Sequence, residues 1–509
     1  MENKLIIHRP LYFSDKSDCG YCHGKKAKGS DFYSLESWYE RIKENADSEV
    51  EELPVRSCTV GFQCENMTVA MYDQMCNMGF RRSGLFVYKM DALRSCCRLY
   101  TIRTRPDWFK LTKDMRKCIN RFRKHVLGEP VANAKTQGYV EDIVDIEGQS
   151  DSINFYTRFG PAVYTDEKYE LFSIYQERVH QDFDHSKKGF KRFLCDAPFT
   201  QGVIMGTEEE WEQLNNWKSM KPGERLLRTG PVHESYYYKG KLIALAVTDF
   251  LPSGISSVYF IWHPDYHKWS LGKLSALREL SLVSKTNLKY YYLGYYIDDC
   301  KKMNYKANYG GELLDSCTER YFKLSQVKDM IRGGKLFMVG TQGHDISREV
   351  ALSDAIRDCI YQTDAFDIAS DDNVAEKVYG TSSNIYRPQY LKEVISFLKT
   401  SGLEYDFPIY NDGVFNQYAK RIAKDGEDPD FTIPSICPGL IPLWELKDLL
   451  MSGKLQKELT GRTLVFDTSF GFIRKLEPWE DEDSTTKTAI CDVVRLLGLE
   501  MASNSIVVV

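Results

Sequence analysis

The stretch that decides the fold is KLIALAVTDFL (241–251), followed by SSVYFIW (256–262), SLGKLSALRELSLVSKTN (270–287) and LKYYYLGYYI (288–297). The first segment is almost continuously apolar, as a strand buried on both faces requires. PSG turns the chain into a second β-rich run. In the third, Leu271, Leu274, Leu277 and Leu280 recur every third residue and predict a buried helix face. The fourth returns as a strand. The order strand, strand, helix, strand predicts a mixed α/β core.

The rest of the chain is assigned outward from this core. At 509 residues it is too long for one hydrophobic core. A first domain is expected over 1–130, ending where KHVLGEP stops a basic helix with glycine and proline. Residues 131–160, with VEDIVDIEGQSDS, read as a polar connector. DEKYELFSIYQERVHQDF (166–183) places Leu171, Ile174, Tyr175 and Val179 on one helical face. The core is then expected over 161–330, an insertion or third lobe over 331–450, and a return to the core domain over 451–509. PGLIPLWELKDLLMSG and KTAICDVVRLLGLEMA read as helices.

Composition, at 43% hydrophobic and 27% charged, is that of a folded soluble chain, and no apolar run approaches the roughly 20 residues that cross a bilayer. The start lacks the pattern of a secretory leader. A cytoplasmic protein, with nuclear residence open, is expected, and with it free thiols rather than disulfides. Net charge is −5, unevenly distributed: Arg81 to Pro130 holds fourteen Lys/Arg against four Asp/Glu. Such a segment suits nucleic acid, although a solvated helix face also reads this way.

Eight of fourteen cysteines lie in the first 118 residues. Cys19 and Cys22 share a short loop, and Cys96 and Cys97 are adjacent. Four thiolates suit zinc or an iron–sulfur cluster. A redox dithiol and plain buried thiols are the alternatives, the first disfavoured because Gly20, Gly24 and Gly29 make a poor helix. Cys58, Cys64, Cys76 and Cys118 read as core thiols, and His23 as a neighbour of the site.

Taken together, CGYCHGKKAKGS (19–30), GFRRSGLFVYK (79–89), RSCCRLYTIR (94–103), KKGFKRFLCD (187–196), GPVHESYYYKGKLIALAVTDFLPSGISSVYFIWHPDY (230–266), SLGKLSALREL (270–280) and YYYLGYYIDDCKKMNYKANYG (290–310) resemble the eukaryotic arginyl-tRNA–protein transferases, the fungal members most of all. The resemblance implies an acyl-CoA N-acyltransferase-like (GNAT-like) catalytic core. It implies transfer of arginine from charged tRNA to the α-amine of an N-terminal Asp, Glu or oxidised Cys, which marks the acceptor for N-degron ubiquitin-dependent degradation. It also implies that Cys19, Cys22, Cys96 and Cys97 hold zinc or an iron–sulfur cluster. The glycine-rich pyrophosphate loop of the acyl-CoA enzymes is reduced here to SLGK (270–273), which weighs against coenzyme A and leaves a tRNA phosphate possible at that helix start. A coenzyme-A-dependent N-acyltransferase and a non-catalytic RNA-binding zinc module are the competing readings.

That reaction needs no covalent intermediate, because an aminoacyl ester is already activated. It needs an amine freed of its proton, held against the carbonyl, and donors for the oxyanion. His233 is the candidate base, and Ser256, Ser257 and Tyr259 are candidate donors on a splayed strand. Arg81 and Arg82 are candidates for the acidic acceptor side chain. Asp249, Asp298 and Asp299 are candidates for the arginine of the donor. Tyr291 and Tyr292 are candidates for the tRNA end, alternation sending Tyr291 and Tyr295 one way and Tyr292 and Tyr296 the other. The cationic path for tRNA is expected at Lys110, Lys113, Arg116, Lys117, Arg121, Arg123 and Lys124, at Lys187, Lys188, Lys191 and Arg192, and at Lys301, Lys302 and Lys306. A monomer acting on tRNA and protein acceptors, away from membranes, is the expectation.

Overall fold

The structure is a computed structural model that describes residues 3–15, 19–23, 57–92, 95–128, 138–150, 154–334, 337–339, 359–361, 388–405, 433 and 437–509. Most of the third lobe expected over 331–450, and the lysines of CGYCHGKKAKGS, lie outside the described residues.

Two eight-stranded sheets organise these residues. The first joins the two ends of the chain. β1 (Leu5–His8) lies between β3 (Ser57–Asn66), antiparallel, and β16 (Ser505–Val508), parallel. β2 (Leu11–Asp15) pairs β3. β5 (Phe86–Met90) pairs β3 and carries β4 (Arg81–Ser83) at the edge, while β14 (Leu464–Asp467) and β15 (Phe472–Lys475) extend the far side. Helices α1 (Val69–Asn77), α6 (Leu443–Met451) and α7 (Ser484–Ser503) cover its core.

The second sheet runs β13 (Arg320–Lys323), β12 (Glu312–Asp315), β6 (Tyr100–Thr104), β11 (Tyr290–Tyr296), β10 (Gly254–Trp262), β9 (Lys241–Phe250), β8 (Gly230–Tyr238), β7 (Phe155–Pro161). One face packs on α2 (Lys113–Leu127), α3 (Tyr139–Gln149) and α5 (Leu271–Lys285). The other packs on α4 (Asp166–Tyr175) and the segment around Phe190 and Leu194. The strand–strand–helix–strand reading of 241–297 corresponds to β9, β10, α5 and β11. α2 stops at Gly128, which takes the left-handed conformation (φ 69°) expected of a glycine after a helix.

Four expectations change. The chain leaves the first sheet between residues 90 and 100, not at 130: β6 and α2 belong to the second sheet. Residues 464–508 complete the first sheet and not the core around 161–330, because β16 supplies the parallel partner that β1 needs. And the polar connector of 131–160 contains α3, whose Ile143 and Ile146 are fully buried. Two of its acids are paired internally: Glu147 takes Arg278 and Lys218, and Asp142 lies 3.7 Å from Arg123, while Glu141 and Asp145 are exposed. Helix α4 also ends sooner than its pattern implies. It passes into a π-turn over Gln176–His180, which swings Val179 out to solvent.

Candidate functional site

The pairing of β10 with β11 is short. It covers Gly254, Ile255 and Ser256 against Tyr290, Tyr291 and Tyr292, and no further pairing is found among the described residues, although β10 continues to Trp262 and β11 to Tyr296. Both strands are displaced at the same level. β10 bulges between Ser257 and Tyr259 against β9. β11 slips between Tyr292 and Tyr295 against β6, where Gly294 adopts φ +76°. A left-handed residue in mid-strand re-aims the remainder of that strand, and glycine does so without a Cβ penalty. Parallel strands that part in this way leave main-chain N–H and C=O groups facing a gap, where an extended peptide or an oxyanion finds donors.

The same slip overturns the expected alternation of the tyrosines. Tyr291 and Tyr296 fall in the core beneath α5, Tyr292 in the core of the first sheet, and Tyr295 in the cluster around the cysteines. All four are at least nine-tenths buried, so none offers an open face to a nucleic-acid base.

Ser256 is buried, and Ser257 and Tyr259 are half-buried at the mouth of the gap. Tyr259 packs edge-on against Tyr175 and Phe193. His233 is not at the gap. It lies on β8 under α4 and is fully enclosed. Its Nε2 bonds the Leu194 carbonyl at 2.9 Å and its Nδ1 meets the Lys168 ammonium at 3.1 Å. Burial, reinforced by the Lys168 charge, pushes its pKa down to about 3. With both nitrogens committed, it holds a helix to the sheet and does not serve as the expected base.

The charged candidates separate in the same way. Arg82 grips Asp249 bidentately, Nε to Oδ2 at 2.8 Å and Nη2 to Oδ1 at 2.6 Å, both side chains being buried. This pair clamps β4 of the first sheet to β9 of the second, so neither residue is available to a substrate. Arg81 is different. Its Nη1 bonds the carbonyls of Cys76 and Phe80, but Nε and Nη2 are buried without a hydrogen-bond partner among the described residues. The rings of Tyr292 and Tyr295 flank its guanidinium at 5.9 and 5.7 Å. Lys306, expected on the tRNA path, is instead buried beside it. Its ammonium takes the Tyr295 carbonyl at 2.6 Å. Burial, then the Arg81 charge, lowers its pKa to about 7. Neither cation has an ion pair with a carboxylate among the described residues. Asp298 accepts from Tyr296 at 2.6 Å and from the Gly333 amide, and Asp299 is exposed.

Lys110, Lys113, Arg116, Lys117 and Lys124 form an exposed basic stripe on and before α2. Arg121 and Arg123 turn inward, to Ser270 Oγ at 2.9 Å and to Asp142. Lys187, Lys188, Lys191 and Arg192 are exposed, although Lys187 is paired with Asp166.

Sequence reasoning passed over Glu279. The signal was ALREL (276–280): two charged residues inside an apolar helix must face a second buried layer. Arg278 does so through Glu147 and Glu234. Glu279 is 6% exposed. Its Oε1 accepts from Ser275 Oγ at 2.8 Å, its Oε2 makes no short hydrogen bond among the described residues, and the Tyr291 hydroxyl lies close to the carboxyl. Burial raises its pKa to about 7. Arg103, stacked between the rings of Tyr290 and Tyr321 at 3.7 and 3.5 Å, was also missed.

The four cysteines do converge. The Cys19–Cys22 turn closes through the His23 amide on the Cys19 carbonyl at 2.9 Å. The Cys96–Cys97 segment is anchored by Ser95, whose Oγ brackets the Cys58 amide and carbonyl at 3.1 Å. All four Sγ atoms lie within 4.8 Å of one another, with Cys19–Cys97 at 3.7 Å and Cys22–Cys96 at 3.6 Å. A tetrahedral thiolate site with metal–sulfur bonds of about 2.3 Å has sulfur–sulfur edges of about 3.8 Å, so the residues fit a metal ion. The cluster packs on Tyr295, Ile297 and Cys300, at the end of β11. Cys58, Cys64, Cys76 and Cys118 are buried in the cores.

Known proteins resemble the chain in the same regions. Residues 17–117 match the family model described as "Arginine-tRNA-protein transferase, N terminus", and 167–315 the corresponding C terminus. Arginyl-tRNA--protein transferase 1 of Saccharomyces cerevisiae is 47% identical over 518 residues, covering 100% of this chain and 99% of the relative. Arginyl-tRNA--protein transferase 2 of Arabidopsis thaliana is 40% identical over 28% of this chain and 23% of its own length. An aspartate/glutamate leucyltransferase of Pseudomonas savastanoi is 28% identical over 50% of this chain and 85% of its own. No helix among the described residues is long and apolar enough to cross a membrane. With full-length identity of this order, the chain belongs to the eukaryotic arginyl-tRNA–protein transferase family and is an enzyme of it.

Proposed function

We propose that the protein transfers arginine from arginyl-tRNA to the α-amine of proteins bearing N-terminal Asp, Glu or oxidised Cys, and so marks them for N-degron ubiquitin-dependent degradation. The observation that carries this reading is the parting of β10 and β11 just beyond Ser256 and Tyr292. A GNAT-like core accounts for it, with β9, β10, α5 and β11 as the unit that holds an acyl donor and an amine acceptor in one gap. The amine attacks the ester carbonyl directly, the carbon–oxygen bond to the terminal ribose breaks, and main-chain donors along the gap meet the oxyanion.

Within that scheme Arg81, assisted by Lys306, receives the acidic side chain of the acceptor. Buried charges are ordinarily paired, and these two have no carboxylate partner among the described residues. With Asp249 held by Arg82, the donor's guanidinium falls to Asp298 or Asp299. The stripe at Lys113 and Lys117 follows the tRNA phosphates. Cys19, Cys22, Cys96 and Cys97 hold zinc or an iron–sulfur cluster. When bound, it ties the N-terminal loop to the end of β11, a structural task. The protein acts as a monomer in the cytoplasm, and in the nucleus.

The test is a peptide panel with arginine-labelled tRNA. Peptides starting with Asp, Glu or cysteine sulfonate should take label, and the same peptides with acetylated amines should not. Equal labelling of an Ala-starting peptide would remove the acidic specificity from the scheme.

A further inference from the structure

The enclosure of His233 leaves the reaction without its expected proton acceptor, and the gap has another group beneath it. Glu279 sits on α5, the helix that packs against both β10 and β11, beside Tyr291 of β11. It is 6% exposed, with Oε1 accepting from Ser275 and Oε2 making no short hydrogen bond among the described residues. A buried carboxylate oxygen left so is costly, and native structures seldom keep one without use. Four elements bring titratable or polar groups to face it. From α5 come Ser275 and Arg278. From β8 come Glu234 and Tyr236, the latter bonded to Ser275 at 3.3 Å. From β11 comes Tyr291, whose hydroxyl faces both the Glu279 carboxyl and the Ser257 hydroxyl of β10. From the turn at 304–309 come Tyr305, 45% exposed, and Tyr309, whose own hydroxyl is buried without a partner. Arg278 favours the ionised carboxyl only weakly beside the burial that opposes it, its guanidinium being bonded to Glu147 and Glu234.

Ser257 is the first residue of β10 beyond its pairing with β11, and it is half-buried. The Tyr291 hydroxyl therefore lies between Ser257, at the open gap, and the Glu279 carboxyl, interacting with both. We propose that Glu279 is the proton acceptor for the incoming α-ammonium, reached through the hydroxyls of Ser257 and Tyr291. This role rests on the transferase activity proposed for the same gap.

The ammonium gives one proton to Ser257 Oγ, Ser257 passes its own to Tyr291, and Tyr291 passes its own to the Glu279 carboxylate. The freed amine pair forms the bond to the ester carbon. As the tetrahedral adduct collapses, the bond to the terminal ribose oxygen breaks and that oxygen leaves with the second nitrogen proton. Glu279 then returns its proton to solvent along the same line. The net products are the amide, the free ribose hydroxyl and one proton. Burial raises the Glu279 pKa to about 7, which places it where a base both accepts a proton and is available ionised near neutrality.

The experiment is single-turnover transfer from arginyl-tRNA to an Asp-starting peptide, from pH 5.5 to 9, with the full chain. Wild type should show a rate that rises through about pH 7 and levels off. Glu279→Gln should lose that limb, falling on the order of 100-fold at pH 8 and converging on wild type below pH 6. Tyr291→Phe keeps the ring in its core, so it remains informative if Glu279→Gln folds poorly; it should flatten the same limb with KM for the peptide unchanged. Survival of the wild-type limb in either variant overturns the proposal. A uniform loss at every pH, with the limb's midpoint unmoved, also overturns it, since that is the mark of a merely structural residue. Wild type that moves no arginine at any pH refutes the transferase reading itself, an outcome separate from the variant arms.

Discussion

Replacing Asp249 with Asn tests whether the buried pair of Arg82 and Asp249 is a clamp between sheets or a substrate site. The substitution preserves size and removes the charge. Arg82 then keeps a buried guanidinium whose two strongest bonds, at 2.8 and 2.6 Å, have no ionised acceptor. Its remaining partners are the carbonyls of Gly84 and Asp196, at 3.3 and 3.2 Å, which do not neutralise a charge. Removing one partner of a buried pair costs about 3–5 kcal/mol, a large part of the roughly 5–15 kcal/mol that a folded domain has in hand. Equilibrium urea unfolding of the full chain should therefore show a clear fall in midpoint. The double variant Arg82→Met/Asp249→Leu should recover most of the loss, because apolar residues of similar volume remove both charges together. The reasoning is refuted if Asp249→Asn unfolds like wild type while KM for an acidic peptide rises tenfold or more. That result would place Asp249 in contact with substrate.

Three further outcomes are expected. Cys96→Ala and Cys97→Ala should each lose bound metal, measured by elemental analysis of the purified protein, and undiminished metal in both would break the four-thiolate site. Lys113→Glu with Lys117→Glu should weaken tRNA binding and reduce its salt dependence by about one unit of log–log slope for each phosphate no longer neutralised; an unchanged slope would make this stripe a solvated face. Lys306→Met should stabilise the protein in the absence of substrate. The Lys306 pKa falls from 10.5 to about 7 on folding, so between those values the unfolded chain binds more protons and stability rises with pH. The full penalty, on the order of 5 kcal/mol, is present below pH 7 and fades toward pH 10. A variant less stable than wild type at pH 6 would show that the charge is already compensated.

The segments that set the second sheet were readable because their signals are local. Leucines at 271, 274, 277 and 280 mark α5, and an unbroken apolar run marks β9. The features that sequence did not reveal are non-local or cooperative. The pairing of Leu5–His8 with Ser505–Val508 joins residues about five hundred positions apart, and neither strand names its partner. The acids of VEDIVDIEGQ look solvated until Arg278 and Lys218 are brought to Glu147. The tyrosines of 290–296 alternate on paper, and one left-handed glycine at 294 ends the alternation. The four-cysteine cluster was legible because thiol pairs are rare and chemically specific. The enclosure of His233 and the isolation of Glu279 were not, because a histidine in sequence carries no mark of its burial, and Glu279 sits in a helix that otherwise reads as core.

The central claim is direct passage of arginine from tRNA ester to acceptor amine in the gap between β10 and β11. Rapid-quench single turnover with labelled arginyl-tRNA and an Asp-starting peptide tests it most directly. Label should leave the tRNA and appear on the peptide at the same rate, with none bound to the protein at any time. Label that stays on the tRNA, or that passes first through a covalent protein intermediate, would contradict the account.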